Sequence, residues 1–128
     1  MAASHPRILR PSFVRADARG ALVEVMNDGE WRSVLHGSMR AGAVMGQHYH
    51  KETLVLFFLE TGATRVDVLH AVTGARDAFA LRAGEGTVFG LLEAHAITFE
   101  ADSAWLMLKS RRYDPASPDT YALAATPR

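Results

Sequence analysis

The sequence predicts an all-β fold, a small barrel or sandwich. Apolar residues do not recur at helical spacing over any long window. Short β-branched and aromatic runs appear instead about every 8–12 residues, separated by turns that contain glycine. With 128 residues and 14.0 kDa, the chain has the length of one domain with a core of its own. We therefore expect a single domain over residues 1–128, with its core between about 17 and 113.

The strands are placed by these runs and by the turn residues between them. Predicted strands cover residues 21–26, 31–39, 44–50, 54–61, 64–70, 77–81, 86–90, 95–100 and 104–111. Turn chemistry separates them at Asn27-Asp28-Gly29, Ala41-Gly42, Thr61-Gly62, Thr73-Gly74 and Ala83-Gly84. The Asn-Asp-Gly segment is the strongest hairpin signal. Residues 114–128, with prolines at 115, 118 and 127, are predicted to form an extended tail over the barrel or over a partner subunit.

Composition excludes several classes of function. The chain carries 14 Lys and Arg against 14 Asp and Glu, so it has no long-range field for nucleic acid or an anionic membrane. Because it has no cysteine, a metal must be held by nitrogen or oxygen ligands. Neither a secretory signal nor a membrane span is found in the sequence, so a soluble cytoplasmic protein is expected.

Histidine is the residue type that points to a site. His48 and His50 flank Tyr49 in a predicted strand, so alternation places both imidazoles on one face with their Cα atoms about 6.6 Å apart. Both rings can then reach one ion or one substrate. The competing interpretation is a chance pair, or one histidine packed in the core.

The spacing around these histidines resembles the two-part motif of the cupin superfamily. Gly42, His48, His50 and Gly62 stand where the first motif, Gly-x5-His-x-His-x3-4-Glu-x6-Gly, has its fixed residues, but Val55 replaces the glutamate. The second motif, Gly-x5-Pro-x-Gly-x2-His-x3-Asn, is met at Gly84 and His95 and departs at Gly90, Leu92 and Phe99. This resemblance implies a cupin double-stranded β-helix, a small jelly-roll barrel whose mouth holds the histidines.

The missing glutamate leaves two alternatives for the cofactor. The resemblance implies that His48, His50 and His95 form a three-nitrogen set, which would suit a divalent transition metal (Zn, Fe, Ni or Cu) and leave positions open for substrate. The alternative is a metal-free barrel in which the same imidazoles act directly as bases.

Further segments resemble one branch of the cupins. Asp17-Ala-Arg-Gly-Ala-Leu and Gly46-Gln-His-Tyr-His-Lys are similar to segments of small cupin ketoisomerases that act on dTDP-4-keto-6-deoxyhexoses. The stretch 108–121, with Asp-Pro-Ala-Ser-Pro-Asp-Thr-Tyr, is similar to the end of the cupin domain of capsular sugar-nucleotide reductase/epimerases. The resemblance implies an isomerase or epimerase of a nucleotide-linked 4-keto-6-deoxy sugar, with His48 or His50 as the base.

Two other hypotheses stay open at this stage. One is a three-histidine metal enzyme of a natural-product pathway, either a dioxygenase or a polyketide-type cyclase. The other is a non-enzymatic cupin that binds a small molecule. Fold analogy also leads us to expect a homodimer.

Substrate-binding candidates are His36, Arg40 and Arg65. If the predicted strand continues to residue 40, residue alternation over 31–40 places Arg32, Val34, His36, Ser38 and Arg40 on one face. That face is either turned into the barrel, where His36 and an arginine meet a phosphate or carboxylate, or solvated. Arg40 and Arg65 are the local arginines expected to meet a diphosphate.

Overall fold

The computed structural model describes residues 5–123, and its elements confirm the all-β prediction. The strands are β1 (Phe13–Asp17), β2 (Gly20–Glu24), β3 (Ser33–Met39), β4 (Val44–Tyr49), β5 (Val55–Thr61), β6 (Ala63–His70), β7 (Arg76–Arg82), β8 (Gly86–Phe89), β9 (Glu93–Phe99), β10 (Ser103–Lys109) and β11 (Tyr121–Ala122). No helix within residues 5–123 is long and apolar enough to cross a membrane. The single-domain organisation stays a prediction.

Two antiparallel sheets form the barrel. One has the strand order β3-β10-β5-β8 and the other β11-β4-β9-β6-β7, while β1 and β2 form a separate two-stranded sheet. Strands that are distant in the chain pair with each other, as β4 does with β9, and this pairing gives the two sheets the topology of a jelly roll.

The core lies between the two sheets. Phe57, on β5, is fully buried, and its ring centroid lies 6.3 Å from those of both Phe99 and Trp105. Strand alternation sends these side chains inward. The buried cluster comprises Val55, Phe57, Leu59, Val66, Val68, Leu81, Phe89, Ile97, Phe99, Trp105 and Met107. This apolar floor supports the histidines at one end of the barrel.

The N-terminal region differs from the prediction. Strand β1 was not predicted. It pairs with β2 across a turn at residues 18–19, in which the Asp17 carboxylate accepts a hydrogen bond from the Arg19 amide at 2.8 Å. The predicted hairpin at Asn27-Asp28-Gly29 is wrong, since this segment folds on itself as a loop: Trp31 Nε1 donates to the Asp28 carbonyl at 2.9 Å. The following strand consequently starts at Ser33.

The tail lies on the barrel. After a turn at residues 115–116 the chain forms β11, which pairs with β4 so that Tyr121 stands opposite Tyr49 and Ala122 opposite His48. An extended segment over the barrel is one of the two predicted arrangements. Pro127 lies outside the described residues.

Candidate functional site

Three imidazoles meet at one end of the barrel. His48 belongs to β4, His50 directly follows it, and His95 lies on the adjacent β9. One ring nitrogen from each lies within 4.8 Å of the others. The ring centroids are 5.0 Å apart for His48 and His50, 5.1 Å for His48 and His95, and 5.9 Å for His50 and His95. These three rings form the histidine cluster.

A bulge in β4 produces this convergence. The pairing of β4 with β9 shifts register between Gly46 and His48, which brings His48 opposite His95. Gly46 and Gln47 carry the bulge at φ values of 98° and 67°. A Cβ at Gly46 would lie 2.6 Å from the His95 carbonyl oxygen, so only glycine lets the two strands approach this closely.

Backbone carbonyls determine the tautomers of two rings. His95 Nδ1 lies 3.1 Å from the Glu93 carbonyl, and His50 Nδ1 is hydrogen-bonded to the Asp119 carbonyl. A carbonyl only accepts, so each Nδ1 carries the proton and each Nε2 keeps its lone pair. His50 Nε2 is buried and has no hydrogen-bond partner within the described part of the chain. This atom is therefore available to a ligand.

The rings are held in their neutral form. Burial lowers the pKa of His95 to about 3 and that of His48 to about 4, the latter with a further contribution from the charges of His50 and Lys109. Burial also lowers the pKa of His50, against the opposing bond to Asp119. Neutral imidazoles are the form that both metal coordination and proton abstraction require.

The tail completes the site through Asp119, which the sequence analysis did not single out. Its carboxylate accepts three hydrogen bonds, from the Lys51 amide at 3.0 Å, the Glu52 amide at 2.8 Å and the Thr53 hydroxyl at 2.8 Å. The side chain is only 7% exposed. Asp119 therefore binds the loop after β4 and, through its carbonyl, orients His50. The sequence signal that could have identified Asp119 is its position in the stretch 108–121, which is similar to the end of the cupin domain of capsular sugar-nucleotide reductase/epimerases.

Tyrosine stacking reinforces the contact of the tail with β4. The Tyr121 ring stacks on Tyr49 at 5.5 Å, and the Lys51 ammonium lies 4.2 Å from the centroid of Tyr121. Tyr49 thus packs on the outside of the strand, opposite to its two histidine neighbours.

Val55 occupies the position of the missing carboxylate. It is 1% exposed and belongs to the apolar core beneath the site. Its isopropyl group cannot coordinate a metal, so the histidine cluster offers three nitrogen ligands and no carboxylate at this position.

A groove, here named the arginine groove, lies beside the loop after β4. It has a volume of about 740 Å³, and its lining includes three arginines, three acidic residues and a tyrosine: Arg32, Arg111, Arg112, Glu30, Glu52, Asp114 and Tyr113. A small cavity of about 30 Å³ shares Arg111, Arg112 and Tyr113 with the groove and reaches His50. Arg111 is engaged by Glu52 at 3.2 Å. The small cavity thus connects Arg111, Arg112 and Tyr113, which also line the groove, to His50.

The predicted substrate-binding residues are not brought to the cluster. His36 and Arg40 are exposed, and on β3 the inward positions belong instead to Ser33, Leu35, Gly37 and Met39, the Cα partners of the inward residues of β10. Of the two orientations expected for the face that carries His36 and Arg40, the structure thus has the one turned to solvent. Arg65 is exposed on the outer face of β6, where it pairs with Asp67 at 3.3 Å.

Solved structures of the same fold were found by comparison. The Mycobacterium tuberculosis rmlC epimerase superposes with a TM-score of 0.77 at 19% identity, over 92% of this chain and 68% of that one. QdtA, a sugar 3,4-ketoisomerase from Thermoanaerobacterium thermosaccharolyticum in complex with TDP, gives 0.73 at 17% identity, over 91% and 87%. These likenesses confirm the cupin fold of the RmlC-like type.

A longer protein also contains this fold. The capsular polysaccharide assembling protein CapF from Staphylococcus aureus superposes with a TM-score of 0.68 at 21% identity, over 95% of this chain and 34% of that chain. The present chain thus spans about a third of the length of CapF. No curated protein matches the chain by sequence. A family model, the polysaccharide biosynthesis C-terminal domain, matches residues 15–121. The chain belongs to the polysaccharide biosynthesis C-terminal domain family.

Proposed function

We propose that the protein is an isomerase or epimerase that acts on a carbonyl-bearing metabolite, most specifically a nucleotide-linked 4-keto-6-deoxy sugar. The observation that carries the proposal is the histidine cluster, in which one nitrogen of each neutral ring lies within 4.8 Å of the others and His50 and His95 keep an Nε2 lone pair. Protons on the carbon beside a ketone are acidic, so the reaction needs a positioned base, stabilisation of the enediolate and an acid that returns the proton.

His48 or His50 is the proposed base. His50 is the better oriented of the two, because Asp119 holds its Nδ1 proton and its Nε2 is buried without a partner in residues 5–123. The base takes the proton from carbon and returns it to the same or a neighbouring carbon. Its lowered pKa keeps it deprotonated at neutral pH.

The guanidinium groups of the arginine groove support the nucleotide part of the proposal. Arginine guanidinium groups match phosphate oxygens, and a tyrosine ring offers a face to a base or sugar. Arg32 and Arg112 line the groove without an ion-pair partner in the described residues. QdtA, whose fold is similar, was solved in complex with TDP. Substrate binding by His36, Arg40 and Arg65 stays a prediction.

Deuterium exchange tests the proposed reaction. The protein is incubated with dTDP- or UDP-4-keto-6-deoxy sugars in deuterated buffer, and ring deuterium is followed by mass spectrometry. We expect exchange by the wild type and a loss of at least about 100-fold in His50→Asn, because a positioned base contributes about that much. His5→Asn, in the N-terminal segment, is the matched control. Absence of exchange with every sugar tested would refute the proposal.

A second function is favoured by the spacing of the histidine nitrogens. Three ring nitrogens within 4.8 Å, two of them with Nδ1 protons on backbone carbonyls, have the donor set and outer contacts of a metal site. His48, His50 and His95 would hold a divalent Zn, Fe, Ni or Cu ion, which would supply Lewis acidity for a dioxygenase or cyclase reaction.

Metal analysis distinguishes the two functions. Protein purified without chelators is analysed by inductively coupled plasma mass spectrometry. One equivalent per chain in the wild type and none in His95→Ala would support the metal enzyme. Substoichiometric metal together with full exchange activity would support direct histidine catalysis.

We also propose a homodimer in which the β1–β2 sheet meets a second copy. Phe13, Val14, Leu22 and Val23 are 45–60% exposed on this sheet, and two strands alone are marginally stable in water. Native mass spectrometry tests this, with a mass of one chain as the contradicting result.

A further inference from the structure

Lys109 is a charged residue on the inner face of the barrel. Its strand, β10, alternates so that Ser103, Trp105 and Met107 are buried. Lys109 continues this inward face at the end of the strand and is half-buried. It lines the same small cavity as His50 and Asp119. The strand therefore delivers a lysine to the histidine cluster.

The charge of Lys109 acts on the cluster. Burial is the main cause of the lowered pKa of His48 and of His50, and the positive charge of Lys109 lowers both further. Among the residues that the structure describes, no carboxylate lies within 4.0 Å of its ammonium. The charge is thus not neutralised by an ion pair in that part of the chain.

Val55 explains why this charge is available. The register of β10 and β5 places Lys109 directly opposite Val55. A glutamate at position 55, as in the cupin motif, would stand across from the ammonium and neutralise it. Because valine cannot form an ion pair, the ammonium of Lys109 stays free to bind a negatively charged group of the substrate. The absence of a carboxylate at position 55 and the presence of a lysine at position 109 therefore belong together.

We propose that Lys109 is a catalytic residue whose ammonium binds the substrate oxygen that becomes negatively charged. The inference rests on the proposed isomerase or epimerase reaction. The C–H bond beside the carbonyl breaks, its proton passes to a histidine Nε2, and the electron pair moves onto the carbonyl oxygen to give an enediolate. Lys109 donates a hydrogen bond to that oxygen. Return of the proton to carbon reverses these steps, and no further reactant is needed.

Lysine variants test this role in the deuterium-exchange assay. Lys109→Met removes the charge at similar length, and Lys109→Arg keeps it. Arg76→Met is the matched control, because Arg76 is an exposed cation at the start of β7 and belongs to no part of the site. We expect kcat to fall at least about 100-fold in Lys109→Met with KM changed less than about threefold, and partial rescue in Lys109→Arg. A kcat within threefold of the wild type in Lys109→Met would overturn the proposal, as long as circular dichroism shows each variant folded. If Lys109→Met does not fold, Lys109→Gln takes its place.

An anion-binding measurement separates this inference from the proposed function. Oxalate, a planar dianion similar to an enediolate, is titrated into the wild type and Lys109→Met by calorimetry. Wild-type binding that weakens at least about tenfold in Lys109→Met supports the lysine as the oxyanion-binding group even when no sugar exchanges. Equal affinity in both proteins, or no binding to the wild type together with no exchange, overturns it.

Discussion

The close approach of β4 and β9 makes a sharp prediction for Gly46→Ala. The added Cβ would meet the His95 carbonyl oxygen at 2.6 Å and His95 Cδ2 at 3.2 Å, while φ at this residue is +98°. The substitution therefore combines backbone strain with a clash against the strand that carries His95. We expect both a loss of stability and a displaced histidine.

Gly42→Ala separates the two effects. Gly42 has nearly the same φ, +92°, yet a Cβ there meets nothing within 4 Å. Backbone strain costs about 1–2 kcal/mol in both variants. The clash at Gly46 adds about 1–3 kcal/mol, the usual cost of overpacking. The difference between the variants corresponds to roughly 4–12 °C in Tm for a domain of this size.

Urea unfolding followed by circular dichroism gives both free energies of unfolding, and deuterium exchange reports the site. We expect Gly46→Ala to lose exchange activity and Gly42→Ala to keep it. Equal free energies of unfolding in the two variants would show that β4 and β9 are not in close contact at Gly46, and would refute the reasoning.

Three further predictions use the same unfolding assay. Asp119→Ala should cost about 2–3 kcal/mol, because the carboxylate accepts three hydrogen bonds from the loop 51–53; an unchanged free energy of unfolding would contradict this role. Phe57→Ala should cost about 3–5 kcal/mol because its ring is fully buried, whereas Leu91→Ala, at a half-exposed side chain, should cost much less; equal losses would contradict the core assignment. Stability should fall as the pH drops below the ordinary histidine pKa of 6.5 towards the folded values of about 4 for His48 and about 3 for His95, since the unfolded chain binds protons there that the native protein does not. His95→Gln should flatten that dependence between about pH 7 and pH 5, and a steeper profile in the variant would contradict the assignment.

The sequence predicts the barrel well because its signals are local. Period-two alternation and glycine turns place the strands from 44 to 109 within about two residues of their observed bounds, as in β5 (Val55–Thr61) against the predicted 54–61. Strand β1 was not predicted because its apolar run is only two residues long, Phe13 and Val14, before the polar and small residues Arg15-Ala16-Asp17. The predicted hairpin at residues 27–29 fails because a turn sequence alone does not provide two strands to pair.

For a related reason, the sequence predicts only some of the residues of the candidate site. Spacing in the sequence singles out His48, His50 and His95 because each belongs to a motif with fixed gaps. Asp119 and Lys109 act through register across strands, which no local pattern encodes: Lys109 is significant because it stands opposite Val55, and Asp119 because β11 pairs with β4. For His36 and Arg40, alternation identifies a common face but does not say which side of the sheet is inside.

The contact between His50 and Asp119 has a consequence for the order of folding. The two residues are separated by 69 positions, so their contact can form only after the strands between them have brought the tail back onto β4. We therefore expect the histidine cluster to become ordered late in folding. A partly folded chain can possess most of its strands and still lack a competent base, so refolding monitored by secondary structure should precede the recovery of activity.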